Sequence, residues 1–289
     1  MDYLLHILIM CGIYAILTLS LNLLVGYTGL PALGHAAFSL VGAYVSALLA
    51  LNFGVSPWIG LLLGAAAAAV ISIVIAAPAL RISGDYLALA TLGFAVIVYS
   101  VAKNWIAVTR GPLGLPGIPT FELFGWRLTA NWAYLLLVIV MAAISTFLIA
   151  RIVGAPVGRV LAGIREDEIA TSAMGKNIDW FKVKAFMTGA FFAGIAGSLY
   201  VHYITFIDPS SFTVMESITI LLMVVFGGMA SIKGSFAGAV ILIVFPELLR
   251  FIGLPSSVAA PLRQIIYGLL LVVLMLYRPQ GLLGKFRLS

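Results

Sequence analysis

Three histidines, one cysteine and ten acidic residues are the chain's supply of the side chains most often used in metal binding. They are not arranged for it. His6, His35 and His202 stand in no metal-ligand spacing, and none has an acidic neighbour in sequence, so each reads as a satisfied membrane or interface residue. Cys11 lies inside an apolar run, and a lone thiol forms neither an internal disulfide nor a cysteine metal site. There is no G-x-S-x-G stretch, and Gly175-Lys176 and Gly284-Lys285 lack the other residues of a phosphate-binding loop. No catalytic residue, metal ligand or cofactor-binding residue is assigned, and ATP hydrolysis is not expected of this chain.

One concentrated polar stretch stands out: GIREDEIATSAMGKN, residues 163–177, set between long apolar runs. Its spacing predicts a short helix from about 166 to 174. The acidic residues Glu166, Asp167 and Glu168 suit a helix start, and Gly175 suits its stop. At 3.6 residues per turn, Ile169, Ala170, Ala173 and Met174 share one side, while Arg165, Glu168, Thr171 and Ser172 share the other. Three roles compete. A lipid-surface helix prefers basic residues on its polar face and larger apolar anchors, whereas this one carries Glu166, Asp167 and Glu168, which anionic lipid repels. A structural cap is the plainest role. Docking of the apolar side into a groove on a soluble partner is the third, and the preferred one.

The elements around it are membrane spans. Of 289 residues, 63% are apolar and 9% charged, with mean hydropathy +1.18. A soluble domain carries about 25% charged residues. Apolar runs of about 20 residues read as transmembrane helices. Nine candidates fall at 3–25, 36–52, 57–77, 86–104, 131–153, 185–205, 214–230, 235–252 and 264–277. The chain therefore reads as one all-α, polytopic membrane domain over 1–289, with a long loop at 105–130 and another at 154–184. With no basic residue before Arg81, the first run reads as a permanent span rather than a cleaved leader. The net charge of +6 implies no nucleic-acid partner, because basic residues here mark a side of the membrane. With the N-terminus outside, eleven Lys and Arg collect on the cytoplasmic side and five outside. That asymmetry places 154–184 and the C-terminus in the cytoplasm and 105–130, rich in Gly and Pro, outside as an ordered non-helical loop.

Asp85, Glu216 and Glu247 fall toward span ends, so no ionisable relay near the bilayer midplane is expected. Without its own energy source the chain is either a channel or stand-alone transporter, or one part of a powered machine. GYTGLPALGH, residues 26–35, is dense in glycine. It is either an ordinary loop or irregular backbone lining a solute path. Gly26, Tyr27, Gly29, Gly34 and His35 are its candidate pathway residues, with Gly29 and Gly34 marking close approaches. GGMASIKGSFAGA, 227–239, has the spaced small residues that let membrane helices approach.

Six stretches resemble the M-type permease subunit of branched-chain amino-acid ABC importers: GYTGLPALGHAAFSLVGAY, GDYLALATLGF, TRGPLGLPGIP, GRVLAGIREDEIATSAMGKN, KAFMTGAFFAGIAGSLY and VVFGGMASIKGSFAGA. They cover most of the chain in order. The resemblance implies an all-helical ABC-importer permease fold of about nine to ten spans in a bacterial inner membrane. It implies a homologous H-type permease partner, two cytoplasmic ATPases that bind ATP and Mg, and a periplasmic amino-acid-binding protein. It places a coupling helix at Arg165 to Gly175, with Glu168, Ala170 and Gly175 at the positions of the ATPase-contact motif. The implied cargo is leucine, isoleucine or valine, with urea or short amides as the alternative within the same class.

Overall fold

In the computed structural model, residues 2–79, 84–123 and 126–250 are described, with scattered positions between 265 and 284. The candidate span 264–277 and the basic residues Arg81, Arg263, Arg278, Lys285 and Arg287 lie outside the described residues, apart from isolated positions in that span. The long helices are α1 (Asp2–Asn22), continued by a π-helical turn at Leu23–Tyr27, α2 (His35–Phe53), α3 (Pro57–Ala79) and α4 (Asp85–Asn104). After the one-turn α5 (Ile106–Thr109) come α6 (Asn131–Gly154), α7 (Pro156–Glu166), α8 (Glu168–Ala173), α9 (Ile178–Ile204), α10 (Val214–Gly227) and α11 (Ile232–Arg250). Among the described residues, six helices are long and apolar enough to cross a membrane. The expected all-helical, multi-span architecture is present.

Two spans differ from their sequence boundaries. α9 starts at Ile178, so Lys182 and Lys184 lie within the helix rather than before it. At 1.5 Å per residue its 27 residues reach about 40 Å, more than the roughly 30 Å hydrocarbon core. Its first turns therefore project, and Lys184 lies over the Trp180 ring at 4.9 Å. α10 is the opposite case. Its 14 residues span only about 21 Å. Contacts show where it begins: Tyr14 meets Glu216, Thr18 meets Met223, and Asn22 meets Ala230 and Ser231. α10 thus runs parallel to α1, and its first turn stands level with the middle of the Asp2–Tyr27 span. A 3-10 turn at Pro209–Phe212, capped by Asp208, leads into it.

The bundle centre is built on small residues. α2, α3 and α9 approach so closely that a Cβ on Gly42 would lie 2.3 Å from Gly194 Cα, and one on Gly197 would lie 2.1 Å from the Ser39 carbonyl oxygen. Lipid gives apolar side chains no reason to leave it, so backbone proximity of this kind is what holds membrane helices together.

The two long connections sit at opposite ends. The described residues of 105–130 hold α5 and a 3-10 turn at Gly111–Leu113 as well as loop, so the stretch is not wholly non-helical as expected. β1 (Leu115–Pro116) pairs antiparallel with β4 (Phe206–Ile207), and β2 (Glu122–Leu123) pairs with β3 (Trp126–Arg127). Phe121, fully buried, packs edge-on against Trp58 and His202. His202 is satisfied on both nitrogens, by Ser46 Oγ at 2.7 Å and the Pro119 carbonyl at 2.6 Å. His6 stacks on Tyr203 and bonds its hydroxyl at 2.9 Å. These two histidines are structural.

Candidate functional site

The polar island at the other end is two helices rather than one. Pro156 occupies the first turn of α7, where its missing N–H costs nothing. Leu161 and Ile164 face the core. Asp167 then turns extended (φ −155°, ψ 108°) and ends α7, while its Oδ1 accepts from Ala170 N at 2.9 Å and starts α8. The helix expected from 166 therefore begins at 168, because Asp167 is used as a cap. It ends before Gly175, which takes the left-handed conformation at φ 74°.

Ile169, Ala170, Ala173 and Met174 are all exposed, Ile169 at 84% and Met174 at 70%. The other side is not solvated throughout. Thr171 is 3% exposed, donates to the Asp167 carbonyl and packs on Gly163. The expectation that Thr171 shares a freely exposed polar side is thus overturned: it is the packing contact between α7 and α8. Ser172 and Glu166 are exposed.

Two side chains tie the island to the spans. Lys182 on α9, 3% exposed, bonds Glu168 Oε1 at 2.6 Å. Arg165 donates from Nη1 to the Gly26 carbonyl at 2.8 Å and from Nη2 to Glu166 at 2.7 Å. The local reason for the Gly26 contact is in the sequence. Leu30 N–H bonds back to Leu24, and the next residue is Pro31, which has no N–H. The Gly26 carbonyl is left to the guanidinium.

The 26–35 segment is irregular backbone packed inside the protein. A Cβ on Gly26 would sit 1.9 Å from Asn22 Oδ1 and 2.4 Å from Ala230 N. One on Gly29, at φ 73°, would sit 2.8 Å from Arg165 Cγ, and one on Gly34 would sit 2.1 Å from the Thr91 carbonyl oxygen. The close approaches expected at Gly29 and Gly34 are there. Tyr27 is half-buried against the core. His35 is fully buried and bonds Ser20 Oγ through Nε2 at 2.7 Å. Its Nδ1 has no partner among the described residues, so the expectation of a satisfied histidine fails on one nitrogen. The next amide, Ala36 N, bonds Ser217 Oγ at 3.0 Å. Asn22 uses both ends of its amide, donating to Ser231 O and Ser235 Oγ and accepting from Ala230 N. The two glycine-rich stretches therefore meet through one buried side chain. The two regions read separately from sequence, 26–35 and 163–177, also meet, through Arg165.

Sequence reading missed Glu216. It lies at one end of its own helix, as expected, in the first turn, but that helix starts at mid-depth, so the carboxylate is inside the bundle. Tyr14 Oη donates to it at 2.5 Å.

An all-helical bundle of long apolar helices with irregular buried backbone and an exposed apolar patch on a polar end is the architecture of a polytopic membrane protein. Over residues 3–275 the chain matches the family described as branched-chain amino acid transport system / permease component, and it belongs to that family. It is 37% identical to the high-affinity branched-chain amino acid transport system permease protein LivM of Salmonella typhimurium, over 96% of this chain and 69% of that one. It is 24% identical to LivH of the same organism (94% and 91% covered) and 27% identical to the guanosine ABC transporter permease protein NupQ of Bacillus subtilis (78% and 75%). No solved structure matches it.

Proposed function

We propose that the chain is the translocation subunit of an ATP-driven importer that brings leucine, isoleucine and valine into the cytoplasm. The observation that carries this is its 37% identity, along nearly its whole length, to a permease named for branched-chain amino acids. A second, related permease is the expected partner, since relatives named LivM and LivH both align to this chain. Two cytoplasmic ATPases supply the hydrolysis, with ATP and Mg bound there, and an external binding protein delivers the solute. The exposed patch of Ile169, Ala170, Ala173 and Met174 is the ATPase contact. A push on α8 is passed by Glu168–Lys182 to α9 and by Arg165–Gly26 to the end of α1, and so to the 26–35 segment beside the solute path.

The reading is tested by uptake into vesicles holding the assembled complex. Leucine uptake is expected only with ATP, the ATPases and the binding protein together. Uptake by this chain alone would favour a stand-alone transporter or channel. The relative named for guanosine supplies the competing cargo: guanosine uptake in place of leucine would keep the class and change the substrate, as would uptake of urea or short amides.

Orientation follows from the basic-residue asymmetry: N-terminus outside, 154–184 and the C-terminus inside. In a Cys11→Ala background, Lys176→Cys is expected to react with an impermeant thiol reagent only after cells are opened. Leu113→Cys, at an 81% exposed position, is expected to react in intact cells whose outer barrier is permeabilised. The reverse pattern would overturn this topology.

The Glu168–Lys182 pair predicts an asymmetry. The Lys182 side chain is 3% exposed and that of Glu168 is 44% exposed. Removing the acid strands a buried cation, whereas removing the cation leaves an acid that water reaches. Glu168→Ala is therefore expected to lower the melting temperature of the purified permease by several degrees, and Lys182→Met by less. Equal shifts would show that the pair is solvated in both partners.

A further inference from the structure

The 3-10 turn Pro209–Phe212 has a cleft on each side. The outer one is lined by Tyr99, Lys103 and Pro112 from α4 and the following loop, and by Asp208, Pro209 and Ser210. It carries one charge of each sign. The inner one is lined by Tyr14, Ser39, Tyr200, Ser211, Phe212 and Glu216, with aliphatic side chains and Ala36 completing its wall. Among the described residues its one charged lining residue is Glu216, set among hydroxyls and apolar side chains. The turn itself is held from the outer side, where Asp208 Oδ1 accepts from Ser211 N and Ser211 Oγ at 3.0 Å.

Depth gives this carboxylate its meaning. Glu216 is level with Tyr14, midway along the first span, where an ionisable side chain is costly and marks a solute or ion path. Tyr14 orients it with a hydrogen bond. Hydroxyl oxygens can accept N–H bonds, and Ile13, Leu17 and Ile220 supply apolar wall beside them. A carboxylate and several hydroxyls complement a primary ammonium group, and the free volume beside them, about 20 Å³, takes a group of that size. They do not complement a lone anion.

We propose that the inner cleft is a mid-membrane binding site for the ammonium group of the transported solute, with Glu216 as counter-charge, Tyr14 as its positioning residue and Phe212 separating it from the outer cleft. This rests on the amino-acid importer reading given above. The outer cleft, with Lys103 and Asp208, suits both ends of a zwitterion. The inner one holds the amine end alone.

The test reads charge selectivity at the cleft and needs no transport. In the assembled complex carrying Cys11→Ala and Ser211→Cys, the ethylammonium thiosulfonate reagent is expected to label Cys at that position about tenfold faster than the ethylsulfonate reagent, as a carboxylate concentrates cations around it. Adding Glu216→Gln should lower the ratio several-fold, leaving the part contributed by Asp208, which lies within 3.0 Å of the Ser211 hydroxyl. Glu216→Asp should restore part of it. With Glu216 intact, ethylamine should slow labelling while isovalerate does not, a reading that stands even where the glutamine variant fails to assemble. Equal rates for the two reagents, a ratio unchanged by Glu216→Gln, or no protection by ethylamine would overturn the site. In transport, Glu216→Gln should lower leucine uptake about tenfold with the ATPases still bound. Should the unaltered complex carry guanosine instead of leucine while ethylamine still protects, the cargo assignment fails and the cation site survives.

Discussion

Arginine at Ala170 is expected to abolish ATP-driven uptake while leaving the permease inserted in the membrane. Ala170 is exposed at the centre of the only apolar face α8 presents, between Ile169 and Met174. A cation there has no cost in the free chain, because the position faces water. It becomes costly when a partner's pocket closes over that face, since an unpaired buried charge costs at least several kcal/mol and about 1.4 kcal/mol is tenfold in binding. The ATPases should be lost from the purified complex, or should hydrolyse without driving uptake. The control has to be chosen from the structure. Thr171, three percent exposed against Gly163, would disrupt the α7–α8 contact when enlarged. Ser172 is exposed on the side away from the patch, and Ser172→Arg should retain both ATPase binding and uptake. Wild-type co-purification and transport in Ala170→Arg would remove α8 from the coupling path and strengthen the stand-alone reading.

The spans were readable because hydrocarbon imposes length and composition on each one separately. α2, α4 and α6 begin and end within one or two residues of their apolar runs. The polar end was readable in composition but not in construction. Helical periodicity placed Ile169, Ala170, Ala173 and Met174 on one face, yet it carries no information on whether Asp167 continues one helix or caps the next. A capping acid followed by Ala170 three residues on was the available signal. The mid-depth start of α10 left a weaker trace. Its 14 helical residues are bounded by Pro209 and by Gly227-Gly228, and a run that short does not cross a bilayer alone. What no local pattern could give is the pairing of Arg165 with Gly26, Lys182 with Glu168, and Asn22 with Ala230. The first and last join positions 139 and 208 residues apart, and each is set by how helices pack, which composition does not encode.

Packing of that kind carries the second large effect. A methyl group on Gly42 would stand 2.3 Å from Gly194 Cα and 2.5 Å from its carbonyl oxygen, and on the α3 side a Gly64 Cβ would lie 2.5 Å from the Gly42 carbonyl oxygen. The obstructing atoms are backbone of α9, so no rotamer change relieves them, and α2 and α9 must separate. Overpacking typically costs about 1–3 kcal/mol where side chains can give way. Here Gly42→Ala should cost at least the upper end of that range, and Gly42→Leu should leave no folded permease after detergent extraction. Gly93, in the middle of α4, is the matched control: a Cβ there meets nothing within 4 Å. Gly93→Ala should be neutral or slightly stabilising, since alanine is the better helix former by about 1 kcal/mol. Size-exclusion profiles and melting curves of the three variants decide the matter. A well-folded Gly42→Leu protein would show that these helices are not in backbone contact, and would remove the basis for reading their glycines as packing residues.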